Sequence, residues 1–207
     1  MPDPGMRVAP VTLEGRVIRL EPLSLGHLDG LAAVCIDPGI WRWMSITVET
    51  RDDMRRDVEA ALIARDEGRE LPFATVERST GRVVGSTRYL NIEPAHRRLE
   101  IGWTWIAPAW QRSAVNSEAK LLQLRHAFEV LGARRVEFKT DSLNAPSRRA
   151  LARIGAVEEG TLRNHMLMPG GRMRHSVYFS VTDAEWPAVR SRLEAGLANG
   201  ASGAAEG

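Results

Sequence analysis

Residues 99–120 read Leu99-Glu-Ile-Gly-Trp-Thr-Trp-Ile-Ala-Pro-Ala-Trp-Gln-Arg-Ser-Ala-Val-Asn-Ser-Glu-Ala-Lys120. Side chains on a strand point alternately to its two faces, so Leu99, Ile101, Trp103 and Trp105 are expected on one face, which needs a core. The opposite face carries Glu100, Gly102, Thr104 and Ile106. A carboxylate followed by Gly and Thr leaves a low surface there, with room for a ligand along the strand. The chain then turns through Pro108 and Trp110 into a helix. Its first-turn amides, around residues 113–117, lack intrahelical acceptors, and the helix dipole favours an anion beside them.

Downstream, residues 117–131 form the clearest helix, with Leu121, Leu124, Phe128 and Leu131 on one face and Gly132 at the position of a C-terminal cap. A short strand over 136–140 precedes a helix over 145–154, opened by Asn144 and closed by Gly155. Strands over 161–168 and 174–181 flank Pro169-Gly170-Gly171, a hairpin signal. A last amphipathic helix covers 184–197. Upstream, 12–20 alternates around Gly15 as one strand, and 27–35 and 51–65 are helical, the second behind Thr50 as cap. Strands over 73–77 and 83–92 join across Ser79-Thr80-Gly81. Hairpins mixed with βαβ units imply an α/β (α+β) fold: one mixed sheet of about seven strands with helices on both faces. The domain is expected over 11–198, with loose tails at 1–10 and 199–207.

Composition narrows the class. The 43% apolar and 26% charged shares are those of an ordinary globular domain, which argues against a disordered or fibrous chain. Cys35 is the single cysteine, so no intramolecular disulfide forms, and a reducing, cytoplasmic setting is the natural expectation. No segment reads as a targeting signal or membrane span. The five His and lone Cys show no metal-ligand spacing, so no metal is expected. Basic residues number 28 against 26 acids, are almost all arginine (Lys120 and Lys139 are the two lysines), and are scattered. That excludes the concentrated basic stripe of a nucleic-acid binder. A monomer or homodimer is expected.

With these residues in view, the sequence resembles the GNAT superfamily of N-acyltransferases. The family's acyl-CoA signature, Gln/Arg-x-x-Gly-x-Gly/Ala, stands here as Gln111-Arg112-Ser113-Ala114-Val115-Asn116, with Ala114 and Asn116 departing at the two small-residue positions. Some members carry a glutamate on the preceding strand eleven residues before the signature, the separation between Glu100 and Gln111. Asn144-Ala-Pro-Ser147 with Arg153-Ile-Gly155 is similar to the family's second landmark, Ala156 replacing its usual Phe. Glu158-Glu-Gly-Thr-Leu-Arg163, Met168-Pro-Gly-Gly-Arg172 and Val177-Tyr-Phe-Ser180 are similar to the RimJ/RimL branch.

The resemblance implies acetyl-CoA, or another short acyl-CoA, as co-substrate and a primary amine as acceptor, either a protein N-terminus or a small molecule. It places the pantetheine arm along the backbone from Glu100 through Trp105 and Ile106, the pyrophosphate on Gln111, Arg112, Ser113, Ala114, Val115 and Asn116, and a further contact at Asn144. Glu100 is implied as general base, because an ammonium has no lone pair with which to attack a thioester. Ser147 is implied as proton donor to the leaving thiolate, since many members place a tyrosine where this chain has Leu151. Each residue also has a plain structural reading: Glu100 as a half-exposed strand acid, Asn144 as a helix cap, Ser147 as a first-turn serine. His165 is the competing base, Met166 standing where RimL-like enzymes carry Glu. Trp41-Arg42-Trp43-Met44 reads equally as core or as acceptor loop. A catalytically silent acyl-CoA-binding domain that kept the fold is the alternative to an enzyme.

Overall fold

The computed structural model describes residues 5–203. Eight strands run β1 (Leu13–Glu14), β2 (Ile18–Pro22), β3 (Leu71–Glu77), β4 (Val83–Glu93), β5 (Arg98–Ile106), β6 (Arg135–Asp141), β7 (Val157–Leu167) and β8 (Met173–Thr182). They form one sheet in the order β1-β2-β3-β4-β5-β6-β8-β7, antiparallel throughout except for β5 beside β6. The helices are α1 (Leu28–Val34), α2 (Pro38–Trp41), α3 (Arg51–Asp66), α4 (Ala114–Arg125), α5 (Ala145–Ile154) and α6 (Trp186–Gly203).

Alternation along β3 explains the layering. Leu71 and Phe73 face a core shared with α4, α5 and α6, whereas Ala74 and Val76 face a second core shared with α1, α2 and α3. The mixed sheet with helices on both faces is thus as expected, with one strand more than seven. The extra strand arises at residues 12–20, which fold back on themselves instead of running straight, Leu13 pairing with Leu20. A buried carboxylate makes the turn. Glu118 of α4 accepts hydrogen bonds from the backbone amides of Arg16, Val17 and Ile18 at 2.8, 2.7 and 2.7 Å. Gly15 permits this approach, because a Cβ there would stand 2.5 Å from the Glu118 carboxylate. Alternation alone carried no sign of a distant acceptor for these amides.

The helix expected over 117–131 starts earlier, at Ala114, and ends in a π-turn, His126–Val130, closed by the Leu131 amide on the His126 carbonyl at 3.0 Å. The hairpin at Pro169-Gly170-Gly171 is present, and Asn144 caps α5 through its side-chain oxygen on the Ser147 amide at 3.1 Å. Both expected tails need correction where they are described. Met6 is buried in the main core with Val8 packed against it, so residues 5–10 are not loose there. Helix α6 runs past the expected boundary at 198 to Gly203. The rest of the expected tails, 1–4 and 204–207, lies outside the described residues.

The Glu118 clamp ties the first hairpin to the central helix. Glu118→Ala leaves three backbone donors without their acceptor, and is expected to lower unfolding free energy by roughly 3 kcal/mol. Urea denaturation of the two proteins checks this. An unchanged midpoint would mean that water replaces the carboxylate at no cost.

Candidate active site

The site begins where two strands part. The β5–β6 ladder holds only for Arg98–Arg135, Leu99–Val136 and Glu100–Glu137. Beyond Glu100 the two strands diverge, and a cleft of about 290 Å³ opens between them, reaching α4, α5 and the segment after α2. Glu100, Gly102 and Thr104 line it from β5, Phe138 and Lys139 from β6, and Asn116, Asn144 and Ser147 from the two flanking helices.

A bulge shapes the β5 side. Ser86 pairs with Trp105 and Arg88 with Gly102, so Trp103 and Thr104 together oppose the single residue Thr87, with Trp103 at φ 49°. The strict alternation expected for β5 therefore fails after Ile101. Leu99 and Ile101 lie in the α4-side core as expected. Past the bulge Trp105 turns to the α3-side core against Trp41, ring centroids 5.4 Å apart, and Ile106 takes the α4 side. Trp103 is only half-buried, with the Arg88 guanidinium over its ring. Trp105 and Ile106, expected along the cofactor, commit their side chains to core, so those positions offer a ligand backbone only.

Glu100 is 2% exposed. Its Oε2 accepts from Asn91 Nδ2 at 2.8 Å and pairs with Lys139 Nζ at 3.6 Å. Its Oε1 lies toward Gly102, where a Cβ would come within 3.1 Å of it, so the glycine keeps that oxygen open to the cleft. Desolvation raises the Glu100 pKa above the ordinary carboxylate value, against the opposing pull of Lys139 and Asn91. The half-exposed strand acid of the plain reading is thus excluded by burial. His165 borders a neighbouring groove with Asn164 and His175, hydrogen-bonded to Ser176 at 3.0 Å and edge-on to Tyr178; burial, with the charges of Lys139 and Arg174 from the cleft, lowers its pKa.

The expected phosphate cradle also has its own geometry. Gln111 donates from Nε2 to the Ile106 carbonyl at 2.9 Å. Arg112 adopts a left-handed backbone at φ 58°, and Ser113 caps α4 by accepting from the Val115 amide at 3.3 Å. The helix then begins at Ala114, and neither Ala114 nor Asn116 has a positive φ. The two departures from glycine thus strain nothing, and the tolerance of Asn for unusual backbone is not called upon. Gln111, Arg112 and Ser113 are exposed, Val115 is buried in the core, and Asn116 reaches the cleft wall.

Several cleft residues escaped the sequence reading. Lys120, on α4, is 6% exposed; its Nζ donates to Thr104 Oγ1 at 3.0 Å and stands 5.8 Å from the Phe138 ring centre. Among the described residues no carboxylate lies within ion-pairing distance of it. Burial alone lowers its pKa to about 7. Arg174, on β8, is also 6% exposed and lines the opposite wall beside Trp43. The tract Trp41–Met44 divides between its two readings: Trp41 is core, while Trp43 and Met44 line the cleft. Helical spacing could have flagged Lys120, which sits among core positions of α4. No local signal distinguishes Arg174 from the other arginines.

Residues 18–157 match the family model described as Acetyltransferase (GNAT) domain. The uncharacterized N-acetyltransferase p20 of Bacillus licheniformis is 27% identical over 176 residues, 84% of this chain and 98% of that protein. YdaF of Bacillus subtilis (strain 168), provisionally named a ribosomal N-acetyltransferase, is 33% identical over 107 residues, covering 51% of this chain and 57% of that one. A GCN5-related N-acetyltransferase structure from Brucella melitensis superposes with a TM-score of 0.85 at 34% identity, covering 92% of this chain and 86% of that one. Mycobacterium smegmatis RimJ in complex with CoA-disulfide shares the fold, with a TM-score of 0.79 at 24% identity, covering 90% and 95% of the two chains.

The buried Lys120 has a measurable consequence. Its pKa is lower folded than unfolded, so between about 7 and the ordinary 10.5 the unfolded chain holds the extra proton, and folding stability rises with pH. Replacing it by methionine removes that contribution. Between pH 7 and 9 the stability of Lys120→Met is expected to rise less steeply than wild type, by about 1 kcal/mol per pH unit. Chemical denaturation across that range measures it. Parallel slopes would mean that Lys120 keeps its proton when folded.

Proposed function

The chain belongs to the acetyltransferase (GNAT) family, and from that premise we propose how its cleft carries out the family's transfer and which residues do the work. The protein is an N-acetyltransferase whose co-substrate is acetyl-CoA. Acetyl-CoA supplies an acetyl group already activated as a thioester. The cleft suits that group on two observations. The β5 edge past Glu100 is unpaired toward β6, leaving backbone groups for an amide-bearing arm, and the first-turn amides of α4 lie at the end of the same strand-turn-helix. Asn116 and Asn144 flank the route between them.

In this reading Glu100 Oε1 takes the proton from the acceptor ammonium, directly or through a water, so that a neutral amine attacks. The observation that carries it is a nearly fully buried carboxylate with one oxygen held by Asn91 and Lys139 and the other open over Gly102. A pKa raised by burial makes the carboxylate a stronger base than a solvated one. Ser147 lines the same cleft from the first turn of α5 and serves as proton donor to the departing sulfur. The acceptor is a primary amine; similarity to YdaF, provisionally named a ribosomal N-acetyltransferase, supports an amine carried by a protein, and in this reading that amine is a protein N-terminus.

Glu100→Gln preserves shape but cannot take a proton, and is expected to lower kcat/KM roughly 10²- to 10⁴-fold while acetyl-CoA still raises the melting temperature. The wild-type rate should climb with pH through a limb above 4.5, the ordinary carboxylate value, and the variant should lack that limb. His165→Gln is the control and should retain near-wild-type activity; the reverse pattern would move the base to His165. Ser147→Ala is expected to slow turnover with little change in acetyl-CoA affinity. An unaffected rate would return Ser147 to a capping-turn role.

A further inference from the structure

Arg174 is a buried guanidinium with almost nothing to bind. Among the described residues its guanidinium makes one hydrogen bond, a long contact of 3.4 Å from Nη1 to the Trp43 carbonyl, and its Nε is buried without an acceptor. Guanidinium groups carry five donors, and leaving them unsatisfied out of water is costly. The acids nearby are already engaged. Asp141 accepts from Arg172 and from the Leu143 amide, and Glu100 directs Oε2 to Asn91 and Lys139. Asp141, Glu100, Arg172 and Tyr178 feel its charge, yet among the described residues none is hydrogen-bonded to it. Burial lowers its pKa, the signature of a cation held where its charge is poorly compensated. Arg88, equally buried, also has a bare Nε, but its Nη groups bond Asp57 and Glu70, whereas among the described residues no carboxylate pairs with the Nη groups of Arg174.

Arg174 lines the same cleft as Trp43 and Glu100 and lies near enough to Glu100 to feel its charge. An acceptor reaching Glu100 with its amine therefore passes the idle fork of Arg174. Carbonyl and carboxylate oxygens are the partners that fork is built for. We propose that Arg174 is the specificity residue of the acceptor site, binding a carbonyl or carboxylate oxygen carried close to the reacting amine, so that the acceptor is an α-amino acyl compound rather than a plain alkylamine or polyamine. This rests on the transfer reaction proposed above. A peptide N-terminus presents a carbonyl and a free amino acid a carboxylate; Arg174 suits both.

The test compares three acceptors whose primary amine sits on a methyl-bearing carbon, at fixed acetyl-CoA, with release of free CoA thiol as readout: an alanine-led tripeptide, free alanine, and isopropylamine, which keeps the amine and loses the oxygen. Wild type should prefer the better amino acyl compound over isopropylamine by roughly tenfold or more in kcat/KM, the worth of a charge-assisted hydrogen bond. Arg174→Gln should erase that preference through KM, with kcat on isopropylamine kept, and Arg174→Lys should restore part of it. A tripeptide preferred over alanine identifies a chain terminus as the source of the oxygen; the opposite order identifies a free amino acid. Equal use of all three by wild type, or a uniform loss on all three in Arg174→Gln, overturns the proposal. If no acceptor turns over while acetyl-CoA still raises the melting temperature, this assignment of Arg174 fails and the cofactor site stands. No melting shift with acetyl-CoA removes the transfer reading itself.

Discussion

Between β5 and β6 the parallel ladder holds for three residue pairs and then ends, although each strand continues for several residues more. Two strands that separate inside a sheet leave facing rows of backbone donors and acceptors without partners, and such groups must be satisfied by water or by a ligand. The divergence is built into the residues. The bulge at Trp103 increases the local twist of β5, while β6 is held on its other side by seven consecutive pairs with β8. β5 cannot follow it. The cleft, the buried position of Glu100 at its apex, and the exposure of Gly102 and Thr104 along its wall all follow from that separation.

Charge within the cleft is arranged in the same way. Glu100 and Glu137 are direct neighbours across the last paired position, and two adjacent carboxylates would repel. Arg98 and Arg135 neutralise Glu137 at 3.6 and 2.8 Å, which leaves Lys139 and Asn91 to hold one oxygen of Glu100. Thr104 links this strand to α4, bonded at once to Lys120 and, at 2.7 Å, to Thr87. Basic side chains thus stand on both sides of the apex, Lys120 toward the helix whose first turn presents its amides and Arg174 toward Trp43.

Much of this was legible in the sequence, and the rest was not, for identifiable reasons. Local rules located the helix caps at Thr50, Asn144 and Gly155, the hairpin at Pro169–Gly171, and the low surface around Gly102, because each depends on residues close in the chain. The face assignment of Trp103 and Trp105 failed because a bulge shifts a period-two pattern by one, and the sequence of β5 alone does not mark where the partner strand drops a residue. The turn at Gly15 was missed because its acceptor, Glu118, lies about a hundred residues away. Arg174 and Lys120 share that difficulty: what sets them apart is that, among the described residues, no carboxylate pairs with them after folding, a property of the assembled cleft.

The departures at Ala114 and Asn116 show why a signature should be read through its backbone. Glycine is obligatory where φ must be positive or where a Cβ would collide. Here the left-handed turn falls on Arg112, one residue before the Ser113 cap, and the helix is already regular at Ala114. An alanine there adds a methyl group without adding strain, and Asn116 extends a polar amide onto the cleft wall. The first-turn amides keep their direction, since the cap and the helix axis set it rather than the side chains. What the substitutions change is the floor beside those amides, from bare backbone to a methyl and a carboxamide. The amide donors of the proposed cradle therefore remain in place, while its shape and hydrogen-bonding pattern become those of this chain.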